Sequence, residues 1–529
     1  MSDMQRARRN TLGDLLRRSR GRFPHKPALR FEEETLTYEQ LDKVVNRAAN
    51  ALLAAGLRKG ERAAVLSRNS MDFAILNFAL AKAGVVMVPI NYMLNTEDVA
   101  YILGHAEVSA CFASPEYRAV ADEAIRLSGC SPLLRCLISK PAVPTGAWLP
   151  FREWIRDCET TEPEVDLADD DVVHILYTSG TESKPKGVML THANVIAEYV
   201  STIIDGGMTA DDIAVHALPL FHSAQLHCFL GPYVYLGASG IILEQAVPDV
   251  MLETVETFRA TQLFCPPTVW IALLRSPSFA ERDLSSLKKC YYGAAIMPVE
   301  ILKELNARLP NARFYNFYGQ TEVAPLATVL KPEDQLRKAG SAGRPALNVE
   351  TKIVDDSGRE VPPGTVGEIV HRTSHAMLGY FRDEEKTREA FRQGWFHSGD
   401  LGIMDEEGYI TVVDRKKDMI KSGGENVASR EVEELIYRYP KVSEAAVIGV
   451  PHPYWIEAVT AVVVPKAGET LTAEEILAFC RERLSSFKAP KYAVITDSLP
   501  RNPSGKILKR ELRLRYQSLA AEDENQVVP

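Results

Sequence analysis

Long apolar runs, paired cysteines and an excess of basic charge are all missing from this 529-residue chain. No apolar stretch reaches the roughly 20 residues that a helix needs to cross a bilayer, which excludes a protein built on membrane-spanning helices. The eight cysteines are scattered from Cys111 to Cys480, with no CxxC pair and no histidine at metal-ligand spacing. A disulfide framework and a structural zinc site are thereby set aside, and the thiols read as buried groups in a reducing, cytoplasmic setting. Lys and Arg number 61 against 70 Asp and Glu, a net charge of −9. A general nucleic-acid binder would need a basic face that this balance does not supply. Internal repeats and low-complexity tracts are also lacking. The N-terminus holds seven arginines (6, 8, 9, 17, 18, 20 and 22) but also Asp3 and Asp14, without the apolar core of a secretory signal. It reads as a capped amphipathic helix beginning near Thr11 rather than a transit peptide.

What is present is ordinary globular material, 46% hydrophobic and 25% charged. At about 150 residues per domain the length predicts three to four structural units. Thr37 and Gln40 form a capping box for a helix that carries Leu41, Val44, Ala48 and Leu52 and stops at Gly56. A short strand over 63–66, a helix over 71–83 and a strand over 85–89 follow. The alternation persists past Leu302 and predicts an α/β fold with helix-covered parallel sheets. Around residues 346–370 short β-like runs separated by DDSG and PPG predict a small barrel or antiparallel sheet. The charge run DRKKD, residues 414–418, precedes a compact α+β piece with a helix near Ser429, strands at 445–450 and 459–464, and a Thr472/Glu475 cap. The expected division is a large unit over 1–414 and a small, mobile one over 415–529.

The chemistry is concentrated in a few polar clusters. Residues 177–188 read YTSGTESKPKGV directly after the apolar run VVHIL. A buried strand opening into hydroxyls, glycines and lysines suits a polyphosphate, because freed backbone N–H groups, hydroxyls and ammonium groups converge on anionic oxygens. The order is not that of a Walker loop, since Lys186 precedes Gly187. YNFYGQTE (residues 315–322) joins aromatics and a glycine, which suit a flat heterocycle, to a Glu able to hold Mg²⁺ on phosphate oxygens. WFHSGD ends in Asp400, placed to take ribose hydroxyls, and DRKKD supplies Arg415. PRNPSGKILKR sets Lys506 after a turn-forming stretch. Singly, each has a bland reading as core aromatic, turn or solvated charge; their joint occurrence in this order does not.

In that order the motifs resemble the acyl-adenylate-forming superfamily of acyl-CoA synthetases, peptide-synthetase adenylation domains and firefly luciferase, over nearly the full length. The resemblance is greatest to bacterial fatty-acyl-CoA and aryl-CoA ligases. It implies a carboxylate attacking the α-phosphorus of ATP to give acyl-AMP and pyrophosphate, then coenzyme A displacing AMP. It further implies that Thr178, Ser179, Gly180, Thr181 and Lys186 hold the β- and γ-phosphates. Gly293, Ala294 and Ala295, together with Asn316 and Gly319, would border adenine and the acyl carboxylate, with Tyr318 stacked on the base. Thr321 would meet the α-phosphate, Glu322 would ligate Mg²⁺, and Asp400 and Arg415 would hold ribose. Lys506 would act during adenylation and must arrive by rotation of the small unit about Lys417. Lys421, Gly423 and Gly424 would then face the adenylate and the pantetheine arm. The resemblance is also compatible with a homodimer.

Two positions depart from the family pattern. Glu182 puts a carboxylate in the phosphate loop, and is expected to turn outward or pair with Lys184. Asp414 replaces a glycine found in some relatives, read here as tolerated variation. At the acyl pocket, His222 stands where amino-acid-activating relatives carry an Asp, which argues against a free amino acid. Ala224, Gln225 and Leu226 follow it, and a mainly apolar tunnel predicts a medium- or long-chain fatty acid, with an aryl acid as the alternative. A carrier-protein-loading ligase and a luciferase-like oxygenase share the motifs; a non-catalytic binder does not fit the presence of Lys506, Glu322 and Asp400.

Overall fold

The structure is a computed structural model that describes residues 3–139, 146–178, 184–295, 297–416, 418–422, 425–501 and 507–519. Among these the strands form four sheets. An eight-stranded sheet is built on the parallel strands Arg62–Leu66, Val86–Ile90, Val108–Ala113 and Val172–Thr178. A nine-stranded sheet carries the parallel run Ile213–His216, Gln262–Phe264, Lys289–Gly293 and Arg313–Gly319. Both sheets are mixed rather than purely parallel, since Lys186–Thr191 and Leu326–Leu330 return antiparallel to their neighbours. The segment 349–415 is the expected antiparallel sheet, and strands between 420 and 495 form a further small sheet with its own core.

The local signals act where they were read. Thr37 and Gln40 make the capping box of helix Tyr38–Ala54, and Thr472 with Glu475 that of Ala473–Arg481. Helix Met71–Ala83 is buried on every side, as an apolar helix between two layers must be, and ends on Gly84 at φ +70°. Its one basic residue, Lys82, meets Asp42 (2.7 Å), Asn46 (2.7 Å) and Glu162 (3.0 Å). Such a buried ammonium is tolerable only because its donors are all met. The N-terminal helix Leu12–Arg22 lies over this network, where a Cβ on Gly13 would fall 2.5 Å from Lys82 Cγ. No helix among the described residues is long and apolar enough to cross a membrane, and all eight cysteines are free thiols.

Asp414 has a structural part of its own. Its Oδ2 accepts from the Ser429 backbone N–H (2.8 Å) and from Ser429 Oγ (2.7 Å). It therefore caps the start of helix Ser429–Ile436 from the end of strand Ile410–Arg415.

Candidate active site

The predicted residues gather at the carboxyl ends of parallel strands, the crevice where open α/β sheets bind ligands. Thr178 closes one such strand, Gly293 and Gly319 close two others, and His222 lies just beyond a fourth. Thr178 and Lys186 face each other across an antiparallel pair, so the two described ends of the phosphate-loop motif belong to one hairpin. Ser179, Gly180, Thr181 and Glu182 lie outside the described residues, as do Lys417, Gly423, Gly424 and Lys506.

Around that hairpin three groups meet that the sequence separates by nearly 200 positions. Strand Gly379–Tyr380 pairs with Lys186–Thr191, which brings the Tyr380 ring under Lys186, whose Nζ stands 4.3 Å from the ring centroid. The Tyr380 hydroxyl donates to Glu322 Oε1 (2.9 Å). Burial first, then the Glu322 charge, pushes the Tyr380 phenol well above its ordinary value, so it stays a donor at physiological pH. Among the described residues Lys186 makes no ion pair, and its side-chain contact is with the Tyr380 ring. Tyr380 had no place in the sequence-derived site, because nothing local to it marks the contact. Lys184, the expected partner of Glu182, stands 4.9 Å over the Tyr101 ring.

The nucleoside end is equally well connected. The Tyr318 hydroxyl donates to Asp400 Oδ2 (2.7 Å), and Asp400 Oδ1 lies 3.4 Å from Arg415 Nε. Asp400 and Arg415 are direct cross-strand partners, so pairing rather than loop folding sets their spacing. Burial, and then Asp400, pushes the Tyr318 phenol upward. Asn316 uses its amide on the Ser341 carbonyl (3.1 Å). Gly293 and Gly319 are positions where only glycine fits. Added Cβ atoms would fall 2.4 Å from the Phe317 carbonyl oxygen and 1.8 Å from the Pro325 carbonyl oxygen. Ala294 and Ala295 are exposed, and Ala294 sits at φ +62°, a strained setting for a residue with a Cβ. Lys421 is exposed, with its backbone N–H donated to Glu457 Oε2 (2.7 Å).

Thr321 joins this region to the acyl segment through Ser223, with the two hydroxyl oxygens 3.1 Å apart. His222 caps the short helix there, its Nδ1 accepting from the Ala224 N–H (3.2 Å). His222, Ala224, Gln225 and Ala294, with Leu218, Pro219, Phe264 and Pro266, line a small pocket of ≈ 10 Å³. Phe264 is backed by Phe229 at 4.3 Å, nearly parallel. Phe229 lies in a π-helical turn, Leu226–Leu230, that the sequence did not reveal.

No cluster of three His, Cys, Asp or Glu side chains able to hold a metal occurs among the described residues. The donor set does fit Mg²⁺ carried on a nucleotide, which asks for one or two carboxylates beside phosphate oxygens. Glu322 offers one, oriented by Tyr380 and with its second oxygen unbonded among the described residues.

Comparison with known proteins agrees with this geometry. A family profile described as AMP-binding enzyme matches residues 16–381, and one described as AMP-binding enzyme C-terminal domain matches 431–506. The chain is 38% identical over 493 residues to a feruloyl-CoA synthase of Amycolatopsis, covering 93% of this chain and 96% of that one. It is 34% identical over 501 residues to a long-chain-fatty-acid–CoA ligase of Mycobacterium tuberculosis, covering 91% and 93%. A solved anthranilate CoA ligase in complex with anthranoyl-AMP superposes with a TM-score of 0.90 at 27% identity, covering 97% of this chain and 98% of that one. The chain belongs to the family of AMP-binding enzymes, in the acyl- and aryl-CoA ligase branch of the adenylate-forming superfamily.

Proposed function

We propose that the protein joins an aryl acid to coenzyme A in two steps. The acid's carboxylate oxygen attacks the α-phosphorus of ATP and pyrophosphate leaves. The sulfur of coenzyme A then attacks the acyl carbon of the acyl-AMP, loses its proton, and AMP leaves. Negative charge grows on phosphate and carboxyl oxygens in both steps, so fixed cations and N–H donors carry the catalysis. Lys186 and the Thr178–Thr181 turn hold the β- and γ-phosphates. Gly293–Ala295 and Tyr318 border the base, and Asp400 with Arg415 takes the ribose. Thr321 meets the α-phosphate beside Ser223. Glu322, aimed by Tyr380, would hold Mg²⁺, which when bound neutralises phosphate charge. Lys506 completes the first step when the unit over 415–529 swings about Lys417, and Lys421 with Gly423 and Gly424 faces the adenylate in the second.

The observation that supports the substrate class is the 38% identity over 493 residues to a feruloyl-CoA synthase, a ligase named for an aryl acid. The pocket beside His222 is ≈ 10 Å³ with Leu218, Phe264 and Pro266 in its wall, and its size does not choose between a ring and a chain.

The test is a panel of acids with the purified full chain, ATP and Mg²⁺, reading pyrophosphate and AMP with and without coenzyme A. Cinnamates and benzoates should give CoA thioesters with higher kcat/KM than octanoate or palmitate. A reversed order would overturn the aryl reading, and no pyrophosphate with any acid would overturn the ligase reading. Lys506→Ala should lose adenylation yet still convert supplied acyl-AMP and coenzyme A to thioester. Equal loss of both halves would contradict the swinging unit.

A further inference from the structure

Helix Thr96–Ala106 sets Tyr101 and His105 four residues apart, hence on one face, and the two rings stack with centroids 5.3 Å apart. That face packs against the hairpin assigned above to the phosphates of ATP. His105 Nδ1 and the Tyr177 hydroxyl share a hydrogen bond of 2.7 Å, and Lys184 Nζ stands 4.9 Å over the Tyr101 ring. Tyr177 directly precedes Thr178, and Lys184 lies two residues before Lys186. One helix face therefore meets both described ends of the phosphate motif.

A third segment closes on the same imidazole. Phe381, the residue after Tyr380, stands edge-on to His105 at 5.6 Å and 83°, and Tyr177 does so at 5.8 Å and 83°. Tyr177 and Phe381 meet over Gly187, where a Cβ would fall 3.1 Å from Tyr177 Cζ and 3.4 Å from Phe381 Cβ. The Phe381 N–H donates to the Gly187 carbonyl (2.7 Å), and Arg382 pairs with Glu107 (2.6 Å) just past the helix. Burial, then Arg382, holds His105 below its ordinary value, and burial pushes the Tyr177 phenol up. Both partners are thus neutral at physiological pH, and losing one bond between neutral groups shifts an equilibrium by roughly two- to tenfold.

We propose that His105 is a positioning residue for ATP: through Tyr177 it fixes Thr178, and through Phe381 it fixes Tyr380, whose side chain holds Lys186 and Glu322. The inference rests on the ATP reading above and extends it to a helix that carries none of the sequence motifs. A hairpin held in place before the nucleotide arrives spends no binding energy on its own ordering. Losing the His105–Tyr177 bond lowers the binding-competent fraction and raises the apparent constant for ATP in proportion. The acid does not meet Thr178 or Lys186 in that reading, so its constant holds.

The experiment measures initial rates with Mg·ATP and acid varied in turn. His105→Phe keeps a ring in the aromatic box and removes the nitrogen, whereas Tyr177→Phe removes only the hydroxyl. Each should raise KM for Mg·ATP about three- to tenfold, with kcat and KM for the acid within about twofold of wild type. Both changes delete the same bond, so the double variant should be no worse than either single one. Fold-changes that multiply in the double variant, or an equal rise in KM for the acid, would overturn the assignment. Tyr177→Phe is nearly isosteric and carries the test alone if His105→Phe fails to fold; an unchanged KM for Mg·ATP in it would also overturn the assignment. Lys186→Ala separates this failure from that of the ATP reading. If Lys186→Ala raises KM for Mg·ATP and the two Phe variants do not, only the role of His105 falls; if Lys186→Ala leaves it unchanged, the hairpin itself is wrongly assigned.

Discussion

Tyr380 serves two groups with one side chain: its ring face carries the Lys186 ammonium and its hydroxyl holds Glu322. The two contributions separate in Tyr380→Phe, which keeps the ring and removes the hydrogen bond. The loss of one charge-assisted hydrogen bond, about 1–2 kcal/mol, should raise KM for Mg·ATP roughly 5- to 30-fold. KM for the acid should hold, and the melting temperature should shift by only a few degrees. Initial rates with ATP and acid varied in turn check this, and an equal rise in both KM values would mean that Tyr380 supports the whole crevice rather than Glu322. Thr178, Lys186, Glu322, Asp400 and Arg415 could be picked out as candidates in the sequence because they sit in compact motifs. Tyr380 could not, since its role depends on the pairing of Gly379–Tyr380 with a strand almost 200 residues earlier.

Elements announced by local chemistry were equally legible. The Thr37/Gln40 and Thr472/Glu475 boxes start helices because side chain and backbone satisfy each other within four residues. The turn Leu226–Leu230 carried no such signal. It follows from long-range packing, in which helix His192–Asp205 presses Glu198 and Tyr199 against it and a Cβ on Gly231 would fall 1.9 Å from the Tyr199 hydroxyl oxygen. Glu198 Oε1 accepts from Thr202 Oγ1 (2.6 Å) and Cys228 Sγ (3.2 Å), and burial outweighs both bonds to push the carboxyl up to about 8. The folded protein then binds a proton between about pH 4.5 and 8 that the unfolded chain has released. Stability must fall as pH rises through that window, with a slope of up to about 1.4 kcal/mol per pH unit. Glu198→Gln cannot titrate, so its melting temperature should gain on wild type steadily from pH 5 to pH 8. A gap independent of pH would show that Glu198 is ionised, or finds a cation, in the folded state.

On the scale of the molecule, the small sheet and its helices are tied to the rest by contacts that flank Lys417. Asp414 caps Ser429–Ile436 from the near side of that position, and Arg430 on the same helix reaches back. Its guanidinium donates to the carbonyls of Gly340 (2.8 Å) and Val412, while its Nε meets Glu434 (3.1 Å). Gly340 precedes the strand Arg344–Pro345 of the nine-stranded sheet, so this one buried side chain fastens the helix to the large body. The rotation about Lys417 proposed above would break the Gly340 bond. The core that holds the small unit together, including Val432, Leu435, Val447 and Val459, does not include Arg430. Arg430→Ala should therefore leave that unit folded while loosening its attachment. The expected signs are faster proteolytic cleavage within residues 416–424 and a larger radius of gyration in solution scattering. Adenylation should slow by roughly three- to tenfold, as the loss of one or two charge-assisted bonds predicts, with thioester formation from supplied acyl-AMP spared. Arg430→Lys, a point charge able to reach one carbonyl at a time, should fall between the two. If cleavage and both half-reactions were unchanged, the fastening would contribute nothing to the choice between orientations. Equal slowing of both half-reactions would instead place Arg430 in the support of a site shared by the two steps.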